Sequence, residues 1–506
     1  MVLSKNMRTD TDKRLDEYLL DTITLKAAAI SGGTIHLEWD ADGHLLKNAY
    51  TFPFVFADNP AFAQERTRDT FAAIFGAISS LRFAAMLPNK IDLTLVENDL
   101  PKALIDFLSY CTRIEGSEFS WQLGFRQWSP ELIVDPKEED LPILTVPEES
   151  KNVLVSMSGG KDGLLCLKLL EKSGIDYHMW QYLDHLYQTV EAKDDRAASA
   201  LFKTLPATHK HLVYFNEDSY LFEMTRRRDS GIESYYKQLH PEATVAFCQN
   251  AGEPTLGMII GAGLQAGYQL PLAVWGDEKS ADSPNFIDPA TGIGVMHSGT
   301  KTLDYAVNIQ RCWGTIFKNL QWVSLLHPFY DTAIFKLLKP VVGDSVYQTH
   351  SCNRGDPWCL ECPKCLYVFS GLTAYLDRPD VIRQFGGNDL FQKKNKTEMW
   401  KELLAIVKDG ETPRRPLECV GEQKELQLYF WEIKKRYPEI TSAPPFRLFQ
   451  SEILDHLGSE SRQEKYFEEL KAKYGKIYRN EHVIPAWVAE PVFDYITGLN
   501  ILCDDI

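Results

Sequence analysis

The sequence predicts an α/β protein whose centre is a parallel sheet covered by helices. Three observations predict it. Short apolar strands alternate with amphipathic helices between residues 150 and 340. A glycine-rich turn, Ser158-Gly-Gly-Lys-Asp-Gly163, joins one of those strands to its helix. Four cysteines then crowd into residues 352–365, and beyond about residue 376 the chain becomes charged and helix-patterned. Strand–helix alternation implies parallel pairing, because returning to a parallel neighbour requires a crossover, usually a helix.

Taken in order, residues 1–128 read as an α+β unit. Residues 34–39 alternate apolar and polar side chains, as a half-buried strand does. Residues 40–43 form a turn, and the aromatic run 50–56 reads as a second strand. Residues 67–86 carry helical apolar spacing at Phe71, Ile74, Phe75, Ile78 and Leu81, and residues 91–96 read as another strand. Nothing in this unit looks catalytic. Residues 129–149 hold Pro130, Pro136, Pro142 and Pro147 with an acidic run at 138–140, which predicts an extended connector and a domain boundary.

The second domain spans residues 150–376. Its strands are expected at 153–157, 177–183, 211–215, 272–275 and 322–326. Its helices are expected at 164–171, 190–205, 255–268 and 303–319. Such sheets bind ligands outside the carboxyl ends of their strands. Residues 377–506 form a helical region, with helices expected at 398–408, 423–436 and 462–474 and loops at Pro413, Pro416, Pro444 and Pro445.

Composition sets the class. With 506 residues the chain has room for about three domains. It is 44% apolar and 25% charged, which excludes global disorder and a collagen-like chain. The net charge is −16, and an acidic surface repels the phosphate backbone that supplies most non-specific nucleic-acid affinity. No nucleic-acid partner is expected, so tRNA thiolation or lysidine formation ranks low. The longest apolar stretch, 258–275, is interrupted by Gln265, Gln269 and Pro271, so no membrane span is expected. The first residues contain no signal-peptide h-region, and a cytoplasmic location is expected.

Chemistry concentrates in two motifs. The turn 158–163 lies between an apolar strand and a helix N-terminus, which makes an anion site. Gly159 and Gly160 let the backbone approach a phosphate, and the first helical N–H groups point outward unpaired. Lys161 adds a mobile cation, and Asp162 holds Mg²⁺ or caps the helix. The spacing is not that of a Walker A loop. The second motif, Cys352-x6-Cys359-x2-Cys362-x2-Cys365, offers four soft ligands to a tetrahedral metal. Zn²⁺ in a closed structural site is the first reading; an iron–sulfur cluster and buried free thiols are the alternatives. Cys111, Cys166, Cys248, Cys312, Cys419 and Cys503 read as ordinary apolar packing.

The turn resembles the Ser-Gly-Gly-x-Asp-Ser loop of the N-type ATP pyrophosphatases, the PP-loop superfamily. That resemblance implies a HUP-like core in which Ser158, Gly159, Gly160, Lys161, Asp162 and Gly163 hold ATP and Mg²⁺. Gly163 departs from the pattern, which has Ser there. Loop and cysteine cluster together resemble 7-cyano-7-deazaguanine synthase, which activates a carboxylate with ATP. Further segments are similar to the UDP-N-acetylmuramoyl-L-alanyl-L-glutamate epimerase family. They are Gly276-Asp-Glu-Lys-Ser-Ala-Asp-Ser-Pro-Asn285, Leu325-Leu-His-Pro-Phe329, Ser351-Cys-Asn-Arg354, Trp358 through Phe369, residues 385–390 and Pro416-Leu-Glu-Cys-Val-Gly-Glu422. The last of these, with Val368-Phe369, favours the epimerase over the deazaguanine enzymes, which include relatives from anti-phage defence.

The epimerase resemblance implies that ATP adenylates a terminal glutamate carboxylate with release of pyrophosphate, that the activated α-carbon is deprotonated and reprotonated on its other face, and that water then releases AMP. The candidates for this chemistry are Asp277, Glu278 and Asp282, which follow a strand, with Lys279, His297, Lys301 and Arg311 as neighbouring cationic or titratable groups. His297 is the candidate proton shuttle. Arg354, inside the cysteine loop, is the candidate anion contact. The run Arg226-Arg-Arg228 reads as surface. The expected partner is a small molecule, a nucleotide-sugar peptide or a deazaguanine carboxylate; the C-terminal region is a possible protein contact. A nucleotide-binding scaffold without catalysis rests on Gly163 alone.

Overall fold

The computed structural model describes residues 12–136, 141, 144–184, 197–207, 209–245, 247, 251–352, 354–355, 357–407, 410 and 412–504. The acidic run 138–140, Pro142, the first half of the helix expected at 190–205, and Cys248 lie outside the described residues.

One ten-stranded sheet runs through the molecule. Its strands are β1 (Thr22–Ser31), β2 (Thr34–Ala41), β3 (His44–Thr51), β4 (Lys90–Asp92), β5 (Glu131–Ile133), β6 (Val153–Ser156), β7 (Tyr177–Asp184), β8 (Lys210–Glu217), β9 (Leu272–Trp275) and β10 (Gln321–Ser324). The order across the sheet is β10-β9-β6-β7-β8-β3-β2-β1-β4-β5. Strands β6 to β10 pair in parallel, as the strand–helix alternation predicts. The sheet as a whole is mixed, because β1, β2 and β3 form an antiparallel meander and β3 pairs antiparallel with β8. Through that pair one sheet joins the strands before residue 128 to those after residue 150, and the stretch 129–149, expected as an extended connector, itself supplies the edge strand β5.

The order β10-β9-β6-β7-β8 places β6 beside β9, where the winding direction reverses. Clefts of open α/β sheets lie at such a reversal. The turn after β6 and the segment after β9 therefore meet at one edge.

Each face of the sheet builds its own core. Val153, Val155, Leu272, Val274 and Val323 point into a core shared with the C-terminal helices Pro363–Tyr375, Gln423–Arg436, Glu460–Tyr474 and Ala486–Gly498. Leu154, Trp180, Ala273 and Trp322 point the other way, into a core shared with β1–β3 and the helices Glu65–Ser79, Lys102–Gln122 and Glu253–Tyr268. Alternation along a strand sends successive side chains to opposite faces, so four-residue strands serve both.

Several elements differ from the sequence expectation. Residues 50–56 are not a strand: β3 ends at Thr51, and Pro53 has no N–H for a ladder. Their rings instead form a loop cluster, with Phe52, Phe54, Phe56 and Phe62 at centroid distances of 4.9–6.1 Å. The helix expected at 67–86 runs Glu65–Ser79 and then tightens to a 3-10 turn through Met86. The strand expected at 91–96 ends at Asp92. Strand β1 was not expected, because Lys26-Ala-Ala-Ala29 has helical composition and a bulge at Leu25/Ala27 breaks its alternation.

Candidate functional site

The helix Lys161–Lys172 begins at Gly160, and no side chain hydrogen-bonds its first turn. Free N–H groups and the helix dipole there favour an anion. Gly159 has a φ of +89°, which an L side chain adopts only with strain. Its carbonyl accepts from His350 N at 3.1 Å, which docks the approach to the cysteine cluster onto the turn. Ser158 is exposed at the mouth of the turn. The Ser351 hydroxyl is buried without a hydrogen-bond partner and lies 3.5 Å from where a Cβ on Gly160 would stand.

Gly163 has a steric reason to be glycine. A Cβ there would sit 3.0 Å from the Ser156 carbonyl oxygen. Gly276, just after β9, is more constrained still: its Cβ would meet Asp162 Cβ at 2.9 Å and Asp162 C at 3.0 Å. The corner after β9 therefore packs directly on the first turn of the helix Lys161–Lys172 at the reversal of the sheet.

Lys161 differs from its expected role. It is buried, with Nζ 2.6 Å from Asp162 Oδ1 and 2.8 Å from Asp331 Oδ1, and it stands over the Phe335 ring at 4.8 Å. It is a fixed buried cation rather than a mobile one. Beneath it lies an acidic set. Asp331 N donates to Ser280 Oγ, Ser280 Oγ donates to Glu425 Oε2, and Glu425 Oε1 accepts from Thr332 N. Burial pushes the Asp331 carboxyl up to about 6 against the pull of Lys161, and the Glu425 carboxyl up to about 8. Burial likewise pushes Asp277 up to about 8, with Lys301 opposing. Glu278 goes the other way: burial disfavours its charge, but Lys301 and Lys161 outweigh burial and hold its carboxyl below the ordinary value. Lys301 Nζ lies 3.3 Å from Glu278 Oε2.

Lys301 also lines a cavity of about 490 Å³. Its wall carries Glu118, Arg227, His297, Arg354, Glu418 and Cys419. The helix Lys102–Gln122 supplies Glu118, and the helix Asp218–Ser230 supplies Arg227. Five separate stretches of chain thus contribute to one space. His297 Nδ1 lies 2.8 Å from Glu118 Oε2, and Arg354 Nη2 lies 3.0 Å from Glu418 Oε1.

The remaining candidates are elsewhere. Asp282 accepts from Leu303 N at 2.8 Å and so caps a helix. Lys279 pairs with Asp282 and Glu481. Arg311 is exposed on its helix. Arg226 donates to the carbonyls of Tyr18 and Leu19, and Arg228 pairs with Asp229 in solvent.

Sequence reasoning passed over Asp331, Glu118, Arg227 and Cys419. Arg227 is buried on the cavity wall, not part of a surface run. Cys419 is polar in its surroundings rather than packed apolar, with Ser298 Oγ 3.5 Å from its sulfur. The signal for Cys419 was its place in the segment 416–422.

The four cysteines of the cluster converge. Their sulfurs all lie within 4.8 Å of one another. Backbone N–H groups point at them: Cys359 N to Cys352 Sγ at 3.3 Å and Cys365 N to Cys362 Sγ at 3.4 Å. Among the described residues no helix is long and apolar enough to cross a membrane.

Residues 345–463 match the family model of the MurL C-terminal domain. The chain is similar to proteins named UDP-N-acetyl-alpha-D-muramoyl-L-alanyl-L-glutamate epimerase. It is 26% identical over 301 residues to that of Salinispora tropica, covering 57% of each chain. It is 25% identical over 286 residues to that of a Micromonospora species, covering 54% of each. It is 25% identical over 292 residues to that of Xanthomonas oryzae pv. oryzae, covering 54% of this chain and 55% of the other. The match thus spans little more than half the length of these relatives.

Proposed function

We propose that this chain, whose residues 345–463 match the family model of the MurL C-terminal domain, epimerises the terminal L-glutamate of UDP-MurNAc-L-Ala-L-Glu to D-glutamate. The reaction is coupled to ATP: the glutamate carboxylate attacks the α-phosphorus, pyrophosphate leaves, and the acyl-adenylate later yields AMP to water. A free carboxylate resists loss of its α-proton because a second negative charge must develop next to the first. The mixed anhydride removes that cost.

One observation carries the reading. The glycine turn and the Gly276–Asp277 corner meet at the reversal of the sheet, and Lys301 joins that corner to a cavity walled partly by Arg354, Glu418 and Cys419 of the family-matched region. The turn suits a pyrophosphate end, through uncapped N–H groups and the unpartnered Ser351 hydroxyl. Asp162 is the carboxylate at that turn suited to Mg²⁺, which would neutralise the developing phosphate charge. The cavity has the size of a small-molecule site. The donor set Cys352, Cys359, Cys362 and Cys365 suits Zn²⁺, since four sulfurs at this separation close a tetrahedron and N–H groups offset thiolate charge. Such a site leaves no open position, so its role is to hold the loop that carries Arg354 and Ser351.

The test is incubation of the full chain with UDP-MurNAc-L-Ala-L-Glu and ATP, followed by chiral analysis of the released glutamate. D-glutamate should appear with AMP and pyrophosphate. D-glutamate without AMP would sink the coupling to ATP, and no D-glutamate would sink the epimerase reading. A parallel assay with a deazaguanine carboxylate separates a general carboxylate activator from this one.

A further inference from the structure

On the proposed epimerase reading, we infer that Cys419 is the acid–base group that exchanges the glutamyl α-proton, positioned by a Glu118–His297 relay.

The argument begins with geometry. Cys419 lines the cavity and is half-buried. Ser298 Oγ lies 3.5 Å from the Cys419 sulfur; its neighbour His297 favours the thiolate, and His297 Nδ1 is 2.8 Å from Glu118 Oε2. Glu118 is only 3% exposed, so the relay is anchored in the wall. His297 N donates to Asn285 Oδ1 at 2.9 Å, which fixes the backbone behind the ring. A sulfur oriented by a histidine that is itself oriented by a carboxylate is an activated thiol. The cationic groups around the sulfur are Lys301, Lys364 and His297; Glu418 and Asp277 oppose them. Their sum holds the thiol well below its ordinary value in spite of burial.

A second observation points to a ligand in the same space. Arg227 is 5% exposed on the cavity wall, and its Nη1 has no hydrogen-bond partner among the described residues. Its other nitrogens are used: Nε donates to Glu233 and Nη2 to the Phe247 carbonyl. A buried donor without an acceptor costs stability unless a ligand fills it. A carbonyl or carboxylate of the bound peptide supplies that acceptor.

The other acids and bases are occupied. Glu278 is held by Lys301, and both oxygens of Asp282 are engaged by Leu303 N and Lys279. The balanced step is then short. The Cα–H bond breaks, an S–H bond forms at Cys419, and the electron pair moves into the activated carbonyl. Water donates a proton to the opposite face, and the hydroxide left behind takes the proton from the thiol, restoring the thiolate.

The experiment runs the full chain in D₂O with ATP and the L-glutamyl substrate. The parent should place deuterium at the glutamyl α-carbon. Cys419→Ala and Cys419→Ser should keep carboxylate-dependent pyrophosphate exchange within a few-fold of the parent and lose deuterium incorporation by about 100-fold or more. Full deuterium incorporation in either variant overturns the inference. Loss of exchange together with deuterium in Cys419→Ser, a one-atom change, makes Cys419 a binding residue and also overturns it. No exchange in the parent means instead that the epimerase reading has failed. If the variants do not fold, iodoacetamide on the native chain answers the same question: one adduct, mapped to Cys419, should stop deuterium incorporation, and unchanged incorporation overturns the inference. For the relay, His297→Gln should raise the pH midpoint of Cys419 alkylation; an unmoved midpoint removes His297 from its role.

Discussion

Lys161 reaches past its neighbour Asp162 to Asp331, 170 residues further along the chain, with Nζ 2.8 Å from Oδ1. The contact ties the start of the helix Lys161–Lys172 to the helix Asp331–Leu337, inside the acidic set around Glu425. Both partners are almost fully buried, at 6% and 4% side-chain exposure.

Removing one partner of such a pair strands the other charge. Lys161→Met should therefore cost about 3–5 kcal/mol of stability, measured by urea denaturation, as well as abolishing pyrophosphate exchange. An unfolding midpoint equal to the parent's would show that the pair does not hold the turn.

Gly276→Ala tests the close approach of the corner after β9 to the first turn of the helix Lys161–Lys172. Its Cβ would stand 2.9 Å from Asp162 Cβ, with backbone behind it, so the turn must shift. The expected cost is about 1–3 kcal/mol, with a raised KM for ATP. A variant with unchanged KM would mean that the corner at Gly276 does not shape the nucleotide site.

Asp277 gives the stability a pH dependence of known sign. The unfolded chain ionises it near 3.8, the folded chain only near 8. The folded state thus binds the extra proton between those values, and the contribution is complete below the lower value and lost as pH rises to the upper one. Asp277→Asn removes this slope. Its stability relative to the parent should rise from about pH 4 to about pH 8 by about 2–5 kcal/mol and level off above. Parallel pH–stability curves for the two proteins would place the Asp277 carboxyl outside a buried setting.

Cys362→Ser should lose bound zinc and unfold at lower temperature. A structural zinc site contributes folding energy outright, so a strong chelator should lower the parent's Tm in the same way. Metal analysis that finds no zinc in the parent would end the structural-zinc reading.

What the sequence made legible was local. The glycine turn, the strands β6 to β10 and the cysteine spacing follow from short-range rules, because two-residue alternation and Gly placement are set by neighbours. The helix Gln423–Arg436 was readable to the residue, since Glu422 and Glu425 form a capping box at its start. Long-range facts were hidden. That Lys161 would be spent on Asp331, or that Glu118 and Cys419 would share one histidine, depends on which distant segments the sheet brings together. Arg227 looked like surface because it sits in a run of three arginines, and helical rotation turned it inward. Strand β1 was hidden for a different reason, its alanine run carrying a local preference that pairing with β2 overrides.

The antiparallel seam between β3 and β8 has a practical corollary. A shortened protein beginning after residue 128 would leave β8 as a bare strand edge along Tyr214 to Glu217, open to pairing with other copies. It would also discard Glu118, taking one wall of the cavity with it. Expression trials on fragments are therefore expected to give aggregates rather than a minimal catalyst, and the N-terminal quarter has to travel with any variant made for crystallisation or assay.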